Sequence, residues 1–337
     1  MSFKAFDPED IVVSTEAITT PVWSDNVGTL STFFTSSTQE SSTLGSYFLE
    51  VYQTGSNLDN AEIQFSISYC DKKGSGSIEL NSNISGSSPS SINYRSLRTL
   101  TVGDEESDVT FSDISSDYFY ALNFERSRYK ERLLPGTFSL KLQKGSDILV
   151  LSDISTDTTS VDFSDAGRVY ELKGSGSTAG PVTEGSALFL ASGSYGKLYP
   201  DIGLILLNGK TLDAPVSVGG LGLNTGRASN TDSKNSRKLF DAIKLGSSFV
   251  LNCEETVSSN FIFVRARNSE FNYSSNPSYI TGSGELRHSI MIDDPRAYFT
   301  AVGLYNDNND LLAVAKLSRP LLKDSRKEAL VRVKLDF

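Results

Sequence analysis

The chain has one histidine, one tryptophan, two methionines and two cysteines in 337 residues, and the scarcity of histidine and cysteine removes classes of chemistry. A histidine-rich metal site is impossible, and thiolate zinc sites need more cysteines than Cys70 and Cys253 supply. A Ser–His–Asp or Cys–His arrangement would have to use His288, which sits in "GELRHSIMIDDPR", read as the entry to a strand. The cysteines are far apart and have no CxxC partner. Each is expected to be a buried, reduced thiol, and a disulfide framework is excluded.

Long apolar runs are missing too. No stretch approaches the ~18 apolar residues of a membrane span. The opening "MSFKAFDPEDIVVSTEAITTPVW" has no basic segment followed by an apolar one, so no signal peptide is expected. The formal net charge of −10 repels phosphate, which argues against nonspecific nucleic-acid binding, and no long block of like charges suggests a binding tail. The Gly-rich "SVGGLGLNTG" contains neither a GxGxxG leading into a helix nor a GK[ST], so no nucleotide cofactor is expected, nor any other.

What the chain does have is alternation. In "AEIQFSISYC" the residues Ala61, Ile63, Phe65, Ile67 and Tyr69 share one face, as in a strand with one wet side. "SYFLEVYQ" reads as its hairpin partner. Further strands are expected at 93–102, 118–124, 138–142, 148–151 and 169–172. "ERSRYKERLLPG" suits a short helical segment stopped by Pro135–Gly136. The run Ile202–Leu207 suits a strand buried on both faces, with Asn208–Gly209 as a turn. A helix is expected near 235–245, capped by Ser233 or Asn235 and closed by Gly246.

These readings give a mainly β fold: antiparallel, sandwich-like sheets in two β-rich regions with one or two short helices. The expected division is an extended arm over 1–40, a β-rich domain over 41–172, a linker over 173–185 ("KGSGSTAGPVTEG") and a second β-rich domain over 186–337. In the second domain, "RAYFTAVGLYNDNNDLLAVAKLSRPLLK" is a hairpin with two apolar faces, expected to lie between layers or between subunits. In the closing "ALVRVKLDF", Val331, Val333, Leu335 and Phe337 face inward, and Arg332, Lys334 and Asp336 outward.

Chemical signals are few. The carboxylate pairs Asp293/Asp294, Asp104/Glu105/Glu106 and Glu254/Glu255 are adjacent in sequence, and nothing singles out an acid from a base. Arg126, Arg128, Lys130 and Arg132 could form an anion site, but Glu125 and Glu131 sit among them. The run 306–310 lacks the Gly and distant Glu of a calcium loop. More suggestive is "FIFVRARNSEFNYSSNPSYITGSG". It places Phe271, Asn272, Tyr273, Asn276 and Tyr279 in one loop, a composition that suits protein interfaces and, as the sharper alternative, sugars. Tyr305, Leu335 and Phe337 complete the candidate partner residues.

Four stretches, "SDYFYALNFERSRYKERLLPGTFSLKL", "YGKLYPDIGLILLNG", "FVRARNSEFNYSSNPSY" and "VGLYNDNNDLLAVAKLSRPLLKD…ALVRVKLDF", together resemble a family of virion structural proteins of contractile-tailed bacteriophages, notably cyanophage-like myoviruses. The likeness spans most of the chain after Tyr118. It implies a non-enzymatic tail component, a baseplate wedge subunit, assembled in the host cytoplasm. Its partners would be other virion proteins, itself among them, with no nucleic acid and no membrane insertion. A receptor- or carbohydrate-binding virion module and a neck or capsid-surface protein stand as alternatives.

Overall fold

The computed structural model describes residues 11–35, 48–77, 88–157, 161–177, 181–182, 193–225, 234–306 and 308–336. The mainly β, antiparallel reading holds, with four short helices among the described residues, two of them no longer than five residues. The chain begins with β1 (Ile11–Pro21), β2 (Thr29–Leu30), β3 (Phe34–Thr35), β4 (Leu49–Tyr52), β5 (Ile63–Asp71) and helix α1 (Pro89–Val102). There follow β6 (Val109–Phe111), β7 (Ile114–Ser116), β8 (Tyr118–Phe124), β9 (Arg132–Leu133), β10 (Ser139–Lys144) and β11 (Asp147–Asp153). Next are β12 (Asp162–Ser164), β13 (Gly167–Ser177), β14 (Pro181–Val182), β15 (Gly196–Tyr199), β16 (Leu204–Asn208), α2 (Gly209–Asp213) and α3 (Asn235–Gly246). The last elements are β17 (Ser248–Val250), β18 (Asn252–Ala266), α4 (Ile290–Asp293), β19 (Arg296–Tyr305), β20 (Leu311–Asp324) and β21 (Ala329–Asp336).

The chain divides into a larger unit, 18–255, and a smaller one made of 1–17 and 256–337. The boundary expected at 173–185 is corrected. Lys173 and Gly174 belong to β13 and pair with Ser152 and Leu151 of β11. A Cβ on Gly174 would lie 2.6 Å from the Tyr195 ring, so this glycine serves close packing inside a strand. Ser175, Gly176 and Ser177 continue β13 opposite Val150, Leu149 and Ile148, and apart from 181–182 the remainder of that segment lies outside the described residues. The extended arm over 1–40 is corrected as well, because β1 is hydrogen-bonded beside β18.

The larger unit is built on one curled half-barrel sheet, ordered β2-β17-β10-β11-β13-β15-β16-β8-β5-β4-β3. Alternation places each side chain. On β8, Tyr118, Tyr120, Leu122 and Phe124 join one core cluster, while Phe119 and Ala121 join another on the opposite face. β16 does the same, with Ile205 and Leu207 on one side and Leu204 and Leu206 on the other. Helix α3 covers the first face with Leu239, Phe240 and Ile243, beside an aromatic knot in which Trp23 and Phe65 lie 5.1 and 5.3 Å from the Phe249 ring. Helix α1 covers the second through Tyr94, whose ring is 5.2 Å from Phe119.

Four local readings change. Residues 93–102 are helix, because their buried positions, Tyr94, Arg98 and Thr101, recur at helical spacing after Pro89. Ile63 leaves the Phe65 face, because an irregularity between Val51 and Tyr52 shifts the β4–β5 register there. Asn208 makes no hairpin turn but caps α2, its side-chain oxygen accepting from the Lys210 N–H at 3.0 Å. Residues 126–128 form only a single 3-10 turn.

In the smaller unit β18 pairs with β21 from Ser259–Asp336 to Ala266–Ala329. β19 and β20 form a two-stranded ribbon of their own.

Candidate partner interface

The buried apolar side chains of the smaller unit, among the described residues, are Ala266, Ala297, Ala329 and Val333. Both hydrophobic clusters belong entirely to the larger unit. Three alanines and a valine bury little apolar area. At about 1.5–3 kcal/mol for a fully buried large aliphatic side chain, they cannot offset the ordering of so many residues. Meanwhile the ribbon shows water its larger side chains. Tyr298, Leu311, Leu312 and Val314 are all more than half exposed, Leu312 at 68%. Val302, Leu304, Ala313 and Ala315 on one face are half-buried, whereas Ala301, Gly303, Leu312 and Val314 on the other are exposed.

The aromatic loop is anchored to the base of this ribbon. Phe271, held at a left-handed φ of 56°, sets its ring edge-on to Phe299 at 6.2 Å. Asn272 faces inward: its Oδ1 accepts from the Lys323 ammonium at 2.7 Å and its Nδ2 donates to the Asn268 carbonyl at 2.7 Å. Asn276 is also spent locally, its Oδ1 accepting from the N–H and hydroxyl of Ser278. These two amides are therefore internal ties. Tyr273, exposed, stands edge-on to the half-buried Tyr279 at 5.6 Å.

Of the remaining candidates, Tyr305 lies at the ribbon end and is exposed. Leu335 is half-buried in β21 opposite Asn260, with Val331 and Val333 on its face as expected. Phe337 lies outside the described residues. The apolar ribbon face was expected from the sequence, but its exposed Leu312 and Val314 were not among the candidate partner residues.

Other polar candidates resolve into structural pairs. Arg126 lies over the Tyr129 ring at 4.5 Å and donates to the Lys130 carbonyl, Arg128 pairs with Glu62 at 2.6 Å, and Arg132 pairs with Glu254. Asp294 is held by Arg296 at 2.5 Å, and Asp104 accepts from the Glu106 N–H, which holds its carboxyl below the usual range. His288 is exposed, and its carbonyl accepts from the Met291 N–H in the turn before α4, so it is not a strand entry.

The larger unit has a groove of about 390 Å³ between α1 and the sheet. Phe48, Glu50, Asn93, Ser96, Asn123 and Glu125 are among its lining residues. The Tyr52 hydroxyl donates to Glu50 at 2.7 Å, and burial together with that carboxylate pushes Tyr52 up to about 12. Reading 93–102 as a strand hid this groove, because one of its walls is α1. On β13 and β15, Glu171 faces Lys197, and burial pushes the carboxyl up and the amine down.

Comparison with known protein families, with curated proteins and with solved structures finds no match.

Proposed function

We propose that this chain is a non-enzymatic structural subunit of a contractile phage tail, a baseplate wedge component, acting by protein–protein contacts during virion assembly. The observation that carries the reading is the composition of the smaller unit: its described residues hold almost no apolar core, while its ribbon presents leucine, valine and tyrosine to solvent. Such a unit gains its stability on association, as obligate interfaces do when they resemble a core cut in half. The resemblance of its ribbon and loop sequences to virion proteins supplies the setting. The larger unit, with two clusters of its own, is the folded body that carries the docking unit into the particle.

In this role nothing is turned over. Neighbouring virion proteins cover the exposed ribbon face, with no part for nucleic acid or membrane insertion, and assembly proceeds in the host cytoplasm. Labelling the chain in intact particles and imaging them by negative stain tests the role. Label at the baseplate is expected; particles complete without the chain would overturn it.

A further inference from the structure

The two edges of the ribbon are unlike. β20 carries exposed Lys316, Arg319 and Pro320, whereas β19 from Ala297 to Tyr305 has neither charge nor proline. Natural sheets guard open edges with such residues and with irregular pairing. β20 has both: Phe299 faces Leu321 and Ala301 faces Lys316, which leaves residues 317–320 opposite Thr300 alone. The far edge of β19 has neither guard, and it pairs with no strand among the described residues. A ribbon of two strands is itself marginal in water, and added strands stabilise it.

We propose that β19 pairs antiparallel with β19 of a second copy of this chain, across a two-fold axis at Ala301, giving a four-stranded sheet. This rests on the proposed role only in taking the ribbon for a contact surface. In this register Ala301 faces itself and Phe299 faces Gly303 of the second copy, where that copy's Tyr305 ring lies over the glycine, 2.9 Å from the place a Cβ would take, so Phe299 meets an aromatic neighbour there. On the other face Tyr298 meets Leu304 and Thr300 meets Val302, aromatic and β-branched pairs that suit cross-strand contact. The pairing is isologous, so each copy offers the same patch.

Charge distribution also permits a second copy. The acidic excess of the chain lies in the larger unit, whereas the smaller unit has 12 basic and 13 acidic side chains. Two smaller units therefore approach without the long-range repulsion that a net charge of −10 would impose if it were spread evenly. A foreign strand would need no such neutrality.

Disulfide trapping in the full chain tests the proposal. Directly opposed residues in an antiparallel pair have Cα atoms about 4.5–5.5 Å apart, within reach of a disulfide. The native thiols do not compete, because Cys70 and Cys253 are both buried. Under mild oxidation Ala301→Cys should give a covalent homodimer, while Val314→Cys, exposed on the facing strand, should stay monomeric. Unmodified protein should sediment as a concentration-dependent dimer. A monomer at every concentration, or equal trapping of the two variants, would overturn self-pairing. If that happened while substitutions at Leu312 and Val314 still kept the chain out of particles, the docking role would stand and only the self-pairing would fall.

Discussion

The ammonium of Lys323 donates to Asn272 Oδ1 at 2.7 Å, and this bond fixes the aromatic loop to the base of the ribbon. The same group donates to the carbonyls of Asn268 at 3.0 Å and Asp324 at 2.8 Å, so its three hydrogens are all used by neutral oxygens. The side chain is fully buried. Lys323→Met keeps the aliphatic stem and leaves those oxygens without their donor. The expected cost is about 1–3 kcal/mol, seen as a lower urea midpoint for the smaller unit and faster amide exchange at residues 268–272.

Gly246 marks a close approach in the larger unit. A Cβ there would lie 1.9 Å from the Lys141 carbonyl oxygen, between the last turn of α3 and β10. Neither backbone can give way cheaply. Gly246→Ala should destabilise by about 1–3 kcal/mol, measured by thermal unfolding, even though alanine is the better helix former.

Asp201 gives the larger unit an acid-sensitive contribution. Burial pushes its carboxyl up, but hydrogen bonds from the Arg168 side chain and backbone outweigh that and leave it below the usual carboxylate range. A depressed folded value means the unfolded chain binds the proton more readily. The stabilisation is therefore present above the ordinary carboxylate pKa of about 3.9 and disappears as pH falls through the folded value. Asp201→Asn should lower the unfolding temperature near neutral pH, and the gap from the parent protein should close in strong acid.

The closing strand should be needed for the docking unit. Removing Lys334–Phe337 deletes three register pairs of β21 with β18: Ser259–Asp336, Asn260–Leu335 and Phe261–Lys334. It also removes the Lys334 ammonium that bonds Glu16 at 2.8 Å. The truncated chain should keep the unfolding transition of its larger unit and lose incorporation into particles, checked by blotting purified virions.

Much of the larger unit was legible because its core strands obey a simple period. β8 and β16 are apolar at consecutive positions, which only a strand covered on both sides tolerates, and both are buried throughout except at Asn123. Helix α1 was not legible, because its inward stripe is half polar. Arg98 reaches Ser107 with its guanidinium, and Thr101 bonds back to the Leu97 carbonyl, so no apolar periodicity marks the helix. The division into units was missed for a similar reason. Glycine and serine at 174–177 suggested a linker, whereas β13 uses Gly174 to admit an aromatic ring that sequence spacing does not announce. In the candidate interface, the loop aromatics were visible by type, but the inward turn of Asn272 depends on Lys323, 51 residues away.

The central claim is that the exposed ribbon face exists to be covered. Its most direct test is the double variant Leu312→Lys, Val314→Lys, expressed in place of the parent chain during particle assembly. Both side chains are in water in the free protein, so the variant should unfold within about 0.5 kcal/mol of the parent. It should nevertheless be absent from purified particles. Incorporation equal to the parent's, with normal stability, would contradict the account.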